Sequence, residues 1–386
     1  MSRHSSGMWH VRTFLPSEGQ RLLLRTALLE REAALDAWAA VRPHLDLDRL
    51  DGGSLRLMPL LCDRLRSLHV EDPLMPRLRG LQRRAWYGNR ILLHRAGAML
   101  ERFHEVGMRT MVLKGAALIA EYYRRPGLRP MADVDVLVPA DRAGDAIGIL
   151  EGDGWFLVGE HDPAERVMEH GVGYSDGDGS QVDIHWRALD PAPPRDARWD
   201  DPFWQRAVAA EVGGVATLAP CPADLLLQVC AHGAVWDHGG RPYWVSDSVH
   251  LIRRGGVDWV RLVALATRAG LVPPLREALG YLRREFGAQV PAEVLLRLER
   301  MTRRPRRELA HRGLRRDPSG PLLGGALRNL GYYARVTGMW SWPAAVRGLP
   351  GYLRYAWGLD RTRQLPALLV RKAGAAIASR ARRRAA

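Results

Sequence analysis

Two aspartates stand two residues apart inside an apolar, β-branched run, Asp133-Val134-Asp135-Val136-Leu137-Val138. In a strand, side chains at i and i+2 share a face, so both carboxylates point the same way. A third acid has similar neighbours, in Val182-Asp183-Ile184-His185-Trp186. Carboxylates gathered within ~4 Å of one another repel by roughly 4 kcal/mol per pair at an effective dielectric of 20. A fold that collects three of them needs a cation to neutralise them, and acids around a divalent cation handle phosphates. The competing reading has the acids capping loops or pairing with Arg124, Arg125 or Arg129. Burying two carboxylates in a Val/Leu run without such a use is expensive, which favours the metal.

Upstream lies Leu113-Lys114-Gly115-Ala116-Ala117, where Gly115 permits a turn and a close backbone approach. Lys114 and Lys372 are the only lysines among 57 Lys plus Arg residues. A lysine where nearly every other cation is arginine suggests that a compact ammonium is wanted beside the acids. It either touches phosphate or pairs with an aspartate, and the sequence leaves both open. His185 reads as a core histidine oriented by a neighbour, with a ligand or base role as the alternative. Trp186 reads as packing, with a base-stacking platform as the alternative, and His232, Asp247 and Asp258 read as structural, with contact to the acceptor as the alternative.

The elements that hold these residues follow from the changes of period. Residues 20–105 show apolar positions at helical spacing. A short strand is expected at 110–113, a turn at Lys114-Gly115, a helix over 116–123 and a second strand over 133–138. A helix over 141–153 would have Asp141 near its N-terminus, where a carboxylate can cap free amides. Strands at 166–174 and 181–186 flank Ser175-Asp176-Gly177-Asp178-Gly179-Ser180. That loop reads as a turn, because it lacks the later acidic ligands of a calcium loop. A connector with Pro191, Pro193 and Pro194 follows, then a hairpin over 211–218. Helices are expected at 224–236, 244–253 and 258–269, and an exposed Arg-rich linker at 303–316.

Composition sets the remaining bounds. At 386 residues, with 47% hydrophobic and 26% charged residues, the chain is expected to be globular and to hold two or three subdomains. No apolar run reaches the ~18 residues of a membrane span. The N-terminus lacks the apolar core of a signal peptide, so the cytoplasm is the default compartment. Three scattered cysteines read as reduced core residues. The net charge of +15 is nearly all arginine, a skew that fits a GC-rich genome as well as a nucleic-acid partner. Residues 361–386 carry eight basic residues and no acid. That tail suits an anionic membrane surface or RNA, against the plainer reading of a solvated, frayed helix.

The order of these pieces resembles the nucleotidyltransferase superfamily of the polymerase-β type. It most resembles an uncharacterised bacterial nucleotidyltransferase family. The resemblance is carried by Leu113-Lys114-Gly115-Ala116-Ala117-Leu118, Tyr122-Tyr123, Arg129-Pro130-Met131-Ala132-Asp133-Val134-Asp135-Val136-Leu137-Val138 and Val182-Asp183-Ile184-His185-Trp186. It continues through Phe203-Trp204, Cys230-Ala231-His232, Asp247 and Asp258-Trp259, and so spans about residues 20–275. It implies an α+β fold, a small mixed sheet with flanking helices (106–220), with helical regions before it (1–105) and after it (221–300) and an Arg-rich extension (301–386). Asp133, Asp135 and Asp183 would be catalytic and would hold Mg²⁺, two ions in all. Lys114, Gly115, Ala116 and Arg129 would bind the nucleoside triphosphate. The superfamily commonly has Gly-Gly or Gly-Ser where this chain has Gly115-Ala116, so a serine hydroxyl is missing. The implied reaction moves a nucleotidyl group to a hydroxyl of a small molecule, sugar or peptide. The alternatives are phosphoryl transfer on the same fold and non-catalytic binding of nucleotide or RNA.

Overall fold

The computed structural model describes residues 15–159, 170–189, 198–233, 242–302, 349–351, 353–354, 361–368 and 370. The expected start of the 166–174 strand, the proline connector, the end of the 224–236 helix, the 303–316 linker and most of the basic tail lie outside them.

Four helices lead into the sheet: α1 (Glu18–Leu28), α2 (Arg31–Val41), α3 (Gly52–Ser67) and α4 (Met75–Glu105). Their starts are set by local chemistry. Ser17 and Gln20 form a reciprocal capping box on α1, and Asp51 accepts from the Ser54 amide at the head of α3. Strand β1 (Met111–Val112) runs into the short helix α5 (Lys114–Leu118), which ends in a π turn, Ile119–Tyr123. Strand β2 (Val134–Leu137) follows, then α6 (Ala143–Gly152) and strands β3 (Phe156–Leu157), β4 (Gly171–Ser175) and β5 (Gln181–His185). The short helix α7 (Asp201–Gln205) precedes a hairpin of β6 (Val208–Val212) and β7 (Val215–Ala219). Helices α8 (Pro222–Ala231), α9 (Tyr243–Arg254), α10 (Trp259–Arg268), α11 (Val272–Phe286) and α12 (Ala292–Thr302) complete the described fold.

The seven strands form one mixed sheet in the order β3-β4-β5-β2-β1-β7-β6. The β2–β5 and β1–β7 pairs are parallel and the others antiparallel. The architecture is therefore α+β. Every residue of β2 is buried, as expected of a central strand whose sequence is a near-continuous apolar run. The buried apolar side chains from Leu23 to Leu298 make one continuous cluster, so the helices before and after the sheet share its core.

Asp141 does not cap. A 3₁₀ turn, Ala140–Arg142, precedes α6, and neither start has a side-chain cap hydrogen bond. Pro139 brings the chain into that turn, so the residue at the head of α6 is Arg142. The loop between β4 and β5 is a turn: Asp176 Oδ1 accepts from the amides of Asp178 and Ser180, each at 2.9 Å. Gly177 and Gly179 take φ of +81° and +100°, which suits glycine. Asp258 caps α10 through the Arg261 amide. All three cysteines are free thiols. Among the described residues no helix is long and apolar enough to cross a membrane.

Candidate active site

Strands β2 and β5 run parallel with Val134 opposite Val182, Asp135 opposite Asp183 and Leu137 opposite His185. This register sets two acids side by side on one face, and His185, two residues beyond Asp183, joins them. One ligand atom from each of Asp135, Asp183 and His185 lies within 4.8 Å of the others. Asp133 sits just before β2, half-buried, and lines the same cavity of about 380 Å³. It is not one of that close trio, in which His185 stands instead.

Asp135 is 6% exposed and has two partners, both on Oδ1. Lys114 Nζ donates to it at 2.6 Å and His185 Nε2 approaches at 2.8 Å. An ionised carboxylate only accepts, so His185 carries its proton on Nε2 and points it at Asp135. Lys114 thus forms an ion pair with Asp135. The backbone supports that pair, because the Leu113 amide donates to the Asp135 carbonyl at 2.9 Å, tying the Lys114 segment to β2. Lys114 itself has φ of +41°, a strained value for a residue with a side chain, here found where its ammonium enters the site.

The neighbouring strand leaves room. In β4, Gly171 stands opposite His185 and Gly173 opposite Asp183. A Cβ at 171 would lie 2.8 Å from the Ile184 carbonyl oxygen and 2.9 Å from His185 Nδ1, and one at 173 would lie 3.0 Å from Asp183 Oδ1. Alternate glycines in a strand signal a close approach, a signal present in Gly171-Val172-Gly173 and missed in the reading of the sequence.

Arg129 lines the cavity, but its fork is held by Asp247, with Nε and Nη2 at 2.9 and 3.0 Å from the two carboxylate oxygens. Tyr123 donates to the same Asp247 at 2.8 Å. The remaining Arg129 nitrogen, Nη1, packs on Gly115, where a Cβ would meet it at 2.6 Å. Ala116 is buried in the core behind Gly115. Asn89, buried on α4, fastens the loop that carries Arg129. Its Nδ2 donates to the carbonyls of Pro126 and Arg129, and its Oδ1 accepts from the Met131 amide at 2.9 Å. Nothing in the local sequence around Asn89 marks that task.

Residues 54–287 match the family described as uncharacterised nucleotidyltransferase. The chain belongs to that family. Membership makes it a transferase, and a nucleoside triphosphate its expected donor substrate. No curated protein matches the chain. Among solved structures it is similar to the antibiotic-resistance factor ANT(2'')-Ia, at 16% identity over 45% of this chain and 91% of that one, with a TM-score of 0.31. It is also similar to an antigenic nucleotidyltransferase-like protein from Paracoccidioides brasiliensis, at 13% identity over 53% of this chain and 97% of that one, with a TM-score of 0.35.

The electrostatics of this nucleotidyltransferase are uneven across its acids. Burial opposes ionisation of Asp135, but the Lys114 ammonium and the His185 hydrogen bond outweigh it and hold the carboxyl well below the usual range. Asp183 is pushed up to about 7, first by burial and then by the charges of Asp135 and Asp133, with Lys114 opposing. Asp133 is also raised, by burial and by Asp135. Burial and Lys114 lower His185 to about 4, so the imidazole is neutral near pH 7. Among the described residues Asp133 and Asp183 have no hydrogen-bonded or ion-paired partner, and Asp135 Oδ2 takes neither of that residue's contacts. Crowded carboxylate oxygens left without an ion pair among the described residues suit a hard divalent ion.

Proposed function

We propose that the chain moves the nucleotidyl group of a nucleoside triphosphate onto a hydroxyl of a small-molecule, sugar or peptide acceptor, with release of pyrophosphate. The observation that carries this reading is the register of Asp135 against Asp183, which crowds Asp183, with no ion-paired cation of its own among the described residues, against an ionised carboxylate.

Mg²⁺ fits the donor set, with Asp133, Asp135 and Asp183 as its holders. When bound it supplies charge neutralisation of the triphosphate and of the leaving oxygen. Lys114 and His185 fix Asp135 through Oδ1 and keep it ionised, so that Oδ2 remains available. Gly115 lines the cavity, and its lack of a side chain makes room for Arg129 Nη1 and the Met131 sulfur at that wall. Arg129, held by Asp247, keeps the loop before Asp133 in place and adds positive potential behind the phosphates.

In the reaction the acceptor oxygen bonds to the α-phosphorus while the bond from that phosphorus to the bridging oxygen breaks. The electron pair leaves with pyrophosphate, and the hydroxyl proton passes to a carboxylate oxygen of Asp183. Positioning and electrostatics account for the catalysis, with no covalent enzyme intermediate.

The test is incubation with each labelled nucleoside triphosphate, Mg²⁺ and a metabolite extract, followed by mass spectrometry for a nucleotide-sized addition. Asp133→Asn and Asp135→Asn should abolish the product while leaving the circular dichroism spectrum unchanged. Equal turnover by the wild type and both variants overturns the reading. Release of nucleoside diphosphate rather than pyrophosphate would assign phosphoryl transfer instead.

A further inference from the structure

Among the described residues, the cations around the cavity pair off with carboxylates, with one exception. Lys114 is taken by Asp135 at 2.6 Å, and Arg129 by Asp247 through two hydrogen bonds. Arg56, half-buried on α3, lines the same cavity and has no carboxylate partner among the described residues. Its guanidinium carbon lies 5.9 Å from the centre of the Tyr243 ring, over its face. Tyr243 opens α9 and is 9% exposed, and its hydroxyl is buried without a hydrogen-bond partner. A planar fork of donors held by an aromatic ring, next to a phenol with an unused donor, matches the oxygens of a phosphate or carboxylate.

This wall differs from the one built by the sheet. Asp135 and Asp183 come from β2 and β5 and Asp133 from the residue before β2, whereas Arg56 and Tyr243 come from the flanking helices α3 and α9. An unpaired guanidinium in a half-buried position keeps part of its desolvation penalty until an anion arrives. We infer that Arg56 and Tyr243 form an oxyanion subsite, which takes an anionic group of a reactant while the carboxylates take the metal. The inference rests on the nucleotidyl-transfer reading for the identity of that reactant. The group is either the terminal phosphate of the triphosphate or an acidic group on the acceptor, and the two share the same recognition chemistry.

The test is isothermal titration of the full chain in Mg²⁺ with α,β-methylene ATP, whose α–β bridge cannot be cleaved. A second titration uses inorganic phosphate against protein already loaded with that analogue. Arg56→Gln should raise Kd about tenfold for one of the two probes, Arg56→Lys by less, and Tyr243→Phe a few-fold. Loss confined to the analogue assigns the subsite to the triphosphate, and loss confined to phosphate on the loaded protein assigns it to the acceptor. If Arg56→Gln binds both probes as the wild type does, the subsite is wrong. Phosphate binding that depends on Arg56 in a protein that ignores the analogue would keep the subsite and overturn the nucleotide reading. A wild type that binds neither probe would overturn both. Because Arg56 forms no ion pair among the described residues, its replacement breaks none of them, and Arg56→Lys guards against loss of fold in the glutamine variant.

Discussion

Gly173 faces Asp183 across the β4–β5 ladder so closely that a Cβ at 173 would lie 3.0 Å from Asp183 Oδ1. The glycine is therefore part of the site although it carries no functional group. Gly173→Ala should turn the Asp183 carboxylate away from Asp135, lowering kcat by ten-fold or more with Tm nearly unchanged, because the flexible carboxylate can yield. Gly171→Ala meets the Ile184 backbone, which cannot yield, and should instead destabilise the fold by about 1–3 kcal/mol. Steady-state kinetics beside thermal melts separate the two outcomes.

Mg²⁺ binding should release a proton below pH 7. Without metal, Asp183 holds its proton up to about pH 7, through burial and the charges of Asp135 and Asp133. A cation needs the ionised form, so apparent affinity should rise from pH 6 to pH 8, by up to about tenfold per unit at the acid end. Titration in buffers of different ionisation enthalpy reads the proton directly. An affinity independent of pH across this window would show that Asp183 is already ionised.

The same carboxyl makes a stability prediction. Its folded pKa is raised above the ordinary carboxylate value of 3.8, so the folded state holds the proton more tightly than the unfolded chain. Its contribution to metal-free stability therefore falls as pH rises from about 4 to about 7 and stays low above. Asp183→Asn removes that penalty. The variant should melt higher than the wild type at pH 8, by an amount on the order of 1–2 kcal/mol, with the gap closing toward pH 5. It should have no transferase activity at either pH.

Lys114→Met should destabilise the protein by about 1–3 kcal/mol, since it leaves the buried Asp135 carboxylate with His185 as its hydrogen-bonded partner. Lys114 is one-quarter exposed, which places the expectation below the cost of breaking a fully buried pair. Asp135→Asn combined with Lys114→Met should cost less than the sum of the single changes, because the two residues share one interaction. Urea denaturation of the four proteins closes the cycle. Strict additivity would show that the 2.6 Å contact contributes nothing to stability.

Asn89→Ala should loosen the loop from Pro126 to Met131, which shares three hydrogen bonds with that side chain, two accepted and one donated by the loop. A loss of about 1–3 kcal/mol is expected, together with a fall in kcat/KM, because Arg129 and Asp133 sit on and beside that loop. An unchanged kcat/KM would mean that the Arg129–Asp247 pair fixes the loop without help from α4.

Much of the site could be read locally, because period-two burial and charged residues in apolar runs are properties of a few adjacent residues. Asp133, Asp135 and Asp183 stood out in that way, whereas the expected Lys114-Gly115 turn is instead the first turn of helix α5, which begins at Lys114. The hairpin expected over 211–218 is that of β6 and β7, and the β4–β5 turn was announced by its Asp-Gly pairs. The misjudged cap at Asp141 came from a boundary decided by Pro139 and a 3₁₀ turn, a difference of two residues.

By itself the sequence determined which residues carry charge, which face of each strand they occupy and which family the chain resembles. The tertiary structure decided which charges meet. Lys114 goes to Asp135, Arg129 goes to an aspartate 118 residues away, and Arg56 goes to none among the described residues. It also decided that β2 and β5 pair in parallel with their acids abreast, although no tight turn joins them. The physical reason is that a Coulomb interaction or a steric contact depends on distance in space. Separation along the chain says nothing about that distance once a crossover lies between two elements.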